Sequence, residues 1–247
     1  MSSIDFQKQR ELMVQQQITS RGIEDPRVLS AMRAVPREEF LDEAIRERAY
    51  IDAPLRIASG QTISQPYIVA LMTEALQLGE HDTVLEVGTG SGYAAAILAE
   101  VAAVVYSIER IEELAVRART ILQQLGYQNI HVCKRDGTQG WPEHAPFDGI
   151  VVAAGGPKVP ETLKQQLKIG GRLILPVGSQ KDGQQLLRIT RVAEHRFNSE
   201  TLANVQFVPL IGAEGWEPVD HRKRGPVENR PSTSTAEDKE SFEGNAK

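Results

Sequence analysis

The chain has one cysteine, Cys133, in 247 residues. An internal disulfide is therefore excluded, and the composition suits a reducing, cytoplasmic compartment. Metal-ligand spacing is missing too. The five histidines and single cysteine form no pattern of the kind metal sites use, so no metal is expected. No apolar run approaches the ~20 residues that span a bilayer. The first ten residues, Met1 to Arg10, have no apolar core resembling a signal peptide. Positive charge is not in surplus: a net charge of −5 gives no general attraction to phosphate backbones and argues against nucleic acid as the main partner. What is left has the composition of an ordinary soluble protein. At 40% hydrophobic and 25% charged, it is long enough for one sizeable α/β domain with elaborations at its ends.

Apolar spacing organises the chain. Residues 5 to about 34 read as helical, with Leu12, Val14, Ile18, Val28, Leu29 and Met32 at near-helical intervals and a break at Arg21-Gly22-Ile23. A shorter helical piece with Phe40 and Leu41 lies between Pro36 and Pro54. Strand-like runs follow at 83–87, 104–108, 129–133, 148–153 and 171–177, with helical runs at 91–100, 110–125 and 158–168 between them. That alternation predicts an α/β fold with a doubly wound, mostly parallel sheet. Leu186 to Val192 and Ala203 to Leu210 are β-rich without a helix-length insert, so they predict an antiparallel pair at the sheet edge. The division expected is N-terminal helices and an active-site segment over 1–78, a ligand-binding core over 79–216, and a polar tail over 217–247. The tail has almost no apolar residues to offset its chain entropy and is expected to be disordered.

The most informative stretch is Val84-Leu-Glu-Val-Gly-Thr-Gly-Ser-Gly92. Val84, Leu85 and Val87 suit a buried strand, and Gly88, Gly90 and Gly92 let backbone approach a ligand without a Cβ in the way. Tyr93 to Ala99 is rich in helix formers, so the loop opens a helix whose free N–H groups face the ligand. A dinucleotide fingerprint would need Gly or Ala where Tyr93 stands. Glu86 would repel a pyrophosphate but could hold a positively charged ligand, directly or through water. S-adenosylmethionine has a sulfonium, an ammonium and no phosphate.

The next strand ends carry acids as well. Glu109 follows the loop at about the interval of a ribose-binding acid, and Asp136-Gly137 could accept from an exocyclic amine while leaving room for a ring. Each acid alone could equally cap a helix or line a turn. Together with Glu86 they occupy three successive strand ends and would suit the amino-acid, ribose and base parts of one ligand. Cys133, inside an apolar strand, reads as a small core residue, and His131 as a packing or surface histidine.

Before the sheet comes Gly60-Gln-Thr-Ile-Ser-Gln-Pro66, with Pro66 suited to a first helical turn. Thr62 and Ser64 could simply cap that helix, or their hydroxyls could bind a carboxylate there. Five stretches then occur in order: Ala49-Tyr-Ile-Asp-Ala-Pro-Leu55, Gly60 to Pro66, Leu85 to Tyr93, Ala145-Pro-Phe-Asp-Gly-Ile150 and Phe207-Val-Pro-Leu210. Over residues 10 to 212 the chain resembles the protein-L-isoaspartate O-methyltransferase family, which repairs isomerised aspartyl residues.

The resemblance implies a class I methyltransferase (Rossmann-like) fold and S-adenosylmethionine as methyl donor. It places Ser64 at the active-site serine, Glu86, Gly88, Gly90, Glu109, Asp136 and Gly137 at cofactor positions, and Thr62, Ile63 and Val208 against the substrate. The acceptor would be the α-carboxylate of an L-isoaspartyl residue in a damaged protein. It is ionised near neutral pH, so no strong general base is needed. Ser64 would orient it, and the methyl ester formed would collapse to a succinimide. Val205, Phe207 and Val208 are expected on an edge strand that pairs with the substrate backbone. The chain is expected to act as a monomer without nucleic acid or membrane. Two alternatives are a class I methyltransferase with another acceptor, and a cofactor-binding module without turnover.

Overall fold

Thr83-Val-Leu-Glu-Val87 and Phe147-Asp-Gly-Ile-Val-Val152 are bounded by polar or turn-forming residues and carry mostly apolar side chains, as strands covered on both faces do. In the computed structural model, which describes residues 4–218, they lie side by side in a seven-stranded sheet. The helices are α1 (Phe6–Met13), α2 (Pro26–Ala34), α3 (Pro66–Leu76), α4 (Tyr93–Ala99), α5 (Glu112–Gln124) and α6 (Glu161–Gln165). A small hairpin, β1 (Leu55–Arg56) with β2 (Thr62–Ile63), precedes the main sheet. That sheet comprises β3 (Thr83–Val87), β4 (Val104–Glu109), β5 (Ile130–Lys134), β6 (Phe147–Val152), β7 (Leu167–Ser179), β8 (Gly183–Ala193) and β9 (Arg196–Val205).

Its order is β5-β4-β3-β6-β7-β8-β9, parallel from β5 to β7 and antiparallel through β8 and β9. The chain builds outward from β3 to β5 and then returns to lay β6 on the other side of β3. The strand order therefore reverses between β3 and β6, and the crevice beyond their carboxyl ends is where such sheets bind ligands. Apolar clusters cover both faces. Met13, Ile18, Val28 and Met32 from the N-terminal helices pack in one cluster with Val69 and Leu76 of α3 and Ile97 of α4. The other joins Leu85, Ile108, Ile150 and Leu173 to Leu163 of α6.

Local signals set the helix boundaries. Asp25 caps α2 by accepting from Arg27 N–H at 2.8 Å, with Pro26 at its first turn. Glu112 and Glu113 open α5 at the positive end of its dipole.

The C-terminal strand pair is antiparallel as expected, but its second strand runs over Arg196–Val205, earlier than Ala203 to Leu210. That strand is the sheet's outer edge. Its mostly exposed Asn198, Ser199 and Glu200 have no apolar alternation that would mark it. Phe207 and Val208 lie beyond the strand, where Pro209 bridges Gly155 in parallel, so the edge-strand placement of Phe207 and Val208 does not hold. The expected helix over 158–168 shrinks to α6, because Leu167 already pairs with Phe147 as the start of β7. The stretch expected to be disordered lies, from 219 onward, outside the described residues.

Candidate functional site

The glycine loop leaves β3 and turns under the end of β4. Gly88 and Thr89 N–H both donate to the Ile108 carbonyl, at 2.8 and 3.2 Å. Gly88, Gly90 and Gly92 have φ of 97°, 54° and 92°, a left-handed backbone that side chains with a Cβ avoid. The loop, the Gln61–Ser64 segment, the ends of β4 and β6, and residues 208–211 enclose a cleft of about 790 Å³ that opens to solvent.

Glu86 lies beneath this cleft and is not part of its wall. It is fully buried, and Ser107, its cross-strand partner, donates a short hydrogen bond to Oε2. The Ser107 and Thr89 hydroxyls are 2.5 Å apart, so a polar chain runs from Glu86 through Ser107 to Thr89 on the cleft wall. Glu86 Oε1 has no partner among the described residues. Burial pushes this carboxyl up to about 8, opposed by the Ser107 hydrogen bond and reinforced by the nearby Glu109 charge.

Glu109 does face the cleft. Its Oε2 accepts from Gly90 N–H and its Oε1 from Ile111 N–H, both at 2.9 Å, so it ties the glycine loop to the approach of α5. The capping and ligand readings are thus compatible, since an ionised carboxylate has about four acceptor sites. Gly137 lines the same cleft, and a Cβ there would meet Val87 Cγ1 at 2.3 Å.

Asp136 departs from expectation. Its Oδ1 accepts from Thr138 N–H at 2.9 Å and the Thr138 hydroxyl at 2.7 Å, and its Oδ2 from Ala213 N–H at 2.7 Å. The carboxylate caps its own turn and pins the segment that roofs the cleft; it is not among the lining residues.

Ser64 and Thr62 do not cap α3. Its N-cap is Gln65, without a side-chain cap, and no hydrogen bond among the described residues engages either hydroxyl. Both residues are half-buried and line two cavities at once: the glycine-loop cleft and a second groove of about 1260 Å³. Val208 is the third residue common to both, while Ile63 faces the cleft alone. The groove has no charged lining residue; Gln65, Gln180, Asn204 and Gln206 give it an amide character.

Several lining residues were not singled out by the sequence pattern. Tyr93, which closes the glycine-loop motif and excludes a dinucleotide fingerprint, is 1% exposed. It packs edge-on against Phe40 at 5.6 Å, and the Arg37 guanidinium lies 4.8 Å from its ring centre. Arg37 is wholly buried and burial pushes it down to about 10, so the N-terminal helices and the loop helix are joined by an expensive cation–π contact. An aromatic directly after the glycine run was the available clue. Pro209, Leu210 and Ile211 roof the cleft from a segment whose Val-Pro-Leu was visible but whose position was not. His131 is exposed and stacks on Tyr106 at 5.2 Å; Cys133 is half-buried, its thiol pushed up by burial. Among the described residues, no helix is long and apolar enough to cross a membrane, and no group of three His, Cys, Asp or Glu could hold a metal ion.

Residues 7–215 match the family profile of protein-L-isoaspartate(D-aspartate) O-methyltransferase. Protein-L-isoaspartate O-methyltransferase 2 of Pelobacter propionicus is 59% identical over 207 residues, covering 84% of this chain and 92% of that protein. The Rhodopseudomonas palustris protein-L-isoaspartate O-methyltransferase is 60% identical over 205 residues, covering 83% and 94%. Among solved structures, one protein-L-isoaspartate O-methyltransferase aligns with a TM-score of 0.76 at 30% identity, over 83% of this chain and 67% of that one. A Plasmodium falciparum counterpart in complex with S-adenosyl-L-homocysteine aligns with a TM-score of 0.70 at 26% identity, over 85% and 99%.

Proposed function

The chain belongs to the protein-L-isoaspartate O-methyltransferase family, and on that premise we propose which of its residues carry the methyl transfer. The reaction moves a methyl group from S-adenosylmethionine to the α-carboxylate of an L-isoaspartyl residue in a damaged protein. The bound donor supplies an electrophilic methyl carbon; the rest is positioning by the chain.

The residues suit that donor. Gly88 and Gly90 leave backbone open along the cleft, and Gly137 keeps a close approach that a side chain would block. Glu109 retains acceptor sites for ribose hydroxyls beyond its two backbone contacts. Glu86 acts from below through Ser107 and Thr89, as a buried neutral acid whose Oε1 has no partner among the described residues. Asp136 contributes by holding the roof at Ala213.

On the acceptor side, the free hydroxyl of Ser64 orients the substrate carboxylate by donating to one of its oxygens, and Thr62, Ile63 and Val208 form the surrounding wall. The carboxylate is already ionised, so the gain comes from holding it in line and stripping its water. The uncharged groove beyond Ser64 takes the flanking peptide. One observation supports this reading: Thr62, Ser64 and Val208 line both cavities, as a wall between a donor site and an acceptor site would require.

Labelled-methyl transfer from S-adenosylmethionine to an isoaspartyl peptide, with the aspartyl peptide as control, tests it. Base-labile label in the isoaspartyl form alone is the expected result. Label in both peptides, or in neither, refutes it. A monomer acting in the cytoplasm without nucleic acid or membrane completes the proposal, with residues 1–78 supplying the acceptor wall and 79–216 the donor site.

A further inference from the structure

Gln184 is a polar side chain at 3% exposure on β8, away from the glycine loop and the Ser64 segment. Its amide pairs with the backbone of Phe207 as another peptide group would. Phe207 N–H donates to Gln184 Oε1 at 2.6 Å, and Gln184 Nε2 donates to the Phe207 carbonyl at 3.4 Å. Gln180 Nε2 donates to the same carbonyl at 3.1 Å.

Gly155 makes room for this clamp: a Cβ there would fall 2.2 Å from Gln184 Nε2. Its φ lies outside the left-handed region, so space and not backbone conformation calls for the glycine. Gly155 also holds the next part of the segment, donating to the Val208 carbonyl at 2.8 Å and accepting from Leu210 N–H at 2.9 Å.

The two ends of 207–210 are thus anchored separately. Leu210, on the cofactor side, is held by Gly155 and by Trp216 N–H, which donates to its carbonyl at 2.7 Å. Phe207, on the groove side, is held by the glutamines. Val208 lies between and lines both cavities.

We propose that Gln184 is a positioning residue for the acceptor, fixing Phe207 and thereby Val208 on the wall shared with Ser64. This rests on reading the groove as the acceptor site. Gln184→Met keeps the volume but leaves the Phe207 N–H unpaired and its carbonyl held by Gln180 alone. It is expected to raise the KM for an isoaspartyl peptide about tenfold. S-adenosylhomocysteine affinity, read by calorimetry, stays within about twofold because the Leu210 anchors remain. Gly155→Ala pushes the amide aside and reproduces the effect. Adding Gln184→Ala to Gly155→Ala removes the clash, and so recovers Tm without recovering the peptide KM.

An unchanged peptide KM in Gln184→Met, an equal loss of cofactor affinity, or a KM restored together with Tm overturns the proposal. Hydrogen exchange at the Phe207 amide reads the clamp without turnover. Faster exchange in Gln184→Met supports it and unchanged exchange overturns it, even where the wild-type chain methylates no isoaspartyl peptide and the acceptor reading itself has failed.

Discussion

Replacing Glu86 with glutamine exchanges a fully buried acid for a neutral side chain of the same shape, and its effect on stability should depend on pH. In the fold the carboxyl titrates at about 8, against 4.5 for an ordinary glutamate. Between those values the native state keeps its proton while the unfolded chain loses it, so stability is full below about pH 4.5 and falls as pH rises towards 8. Working the linkage with these two pKa values, Glu86 lowers stability by roughly 1 kcal/mol at pH 5 and roughly 3 kcal/mol at pH 7. Glutamine has no such term. Any fixed cost of its amide facing the space beside Oε1 is independent of pH. Relative to the wild type, Glu86→Gln should therefore gain about 2–3 kcal/mol between pH 5 and pH 7. For a chain of this size that is roughly 5–10 °C in the Tm difference. Thermal unfolding of both proteins across this range, without cofactor, measures it, and the other carboxylates cancel in the difference. A Tm difference that stays constant from pH 5 to pH 7 would refute the reasoning, because it would mean that Glu86 is ionised in the fold.

Three further substitutions probe the site. Ser64→Ala removes a hydrogen bond to an ionised acceptor, so turnover should fall ten- to a hundredfold, an effect of about 1.5–3 kcal/mol, with S-adenosylhomocysteine affinity nearly unchanged; full turnover would end its assigned role. Gly137→Ala puts a Cβ 2.3 Å from Val87 Cγ1 and should weaken cofactor binding by calorimetry while leaving the isoaspartyl KM alone. Asp136→Ala frees Ala213 N–H and both Thr138 donors, so it should cost about 1–3 kcal/mol in denaturant unfolding. Cofactor affinity should drop only a few-fold; a loss beyond a hundredfold would reinstate Asp136 as a direct base contact.

The glycine-loop half of the cleft was legible because its determinants are local. Apolar run, glycines and helix formers follow one another between Val84 and Ala99, and short-range periodicity records such a unit directly. The same locality identified Ser64 and Thr62 as a unit, through the motif around them. The exact use of each acid was not legible, since it depends on what arrives from elsewhere. Asp136 is spoken for by Ala213, more than seventy residues later, and Glu86 is engaged by Ser107 from the neighbouring strand β4. β9 escaped for a different reason: an exposed edge carries no hydrophobic alternation, so its residues read as a loop while Ala203 to Leu210 attracted the strand assignment. Gln184 shows the same limit, a polar residue in a β-rich run whose partner backbone lies twenty-three positions away.

The wall formed by Thr62, Ser64 and Val208 also has a thermodynamic side. A partition touched on both faces makes the two occupants mutual effectors if either one shifts its position. If S-adenosylmethionine settles Val208 in the position the peptide prefers, it tightens peptide binding, and the peptide must tighten donor binding by the same factor. If the demethylated donor left after transfer presses on the same partition, the spent cofactor and the new ester are coupled in their departure as well. In that case a single valine links the order in which substrates enter to the order in which products leave.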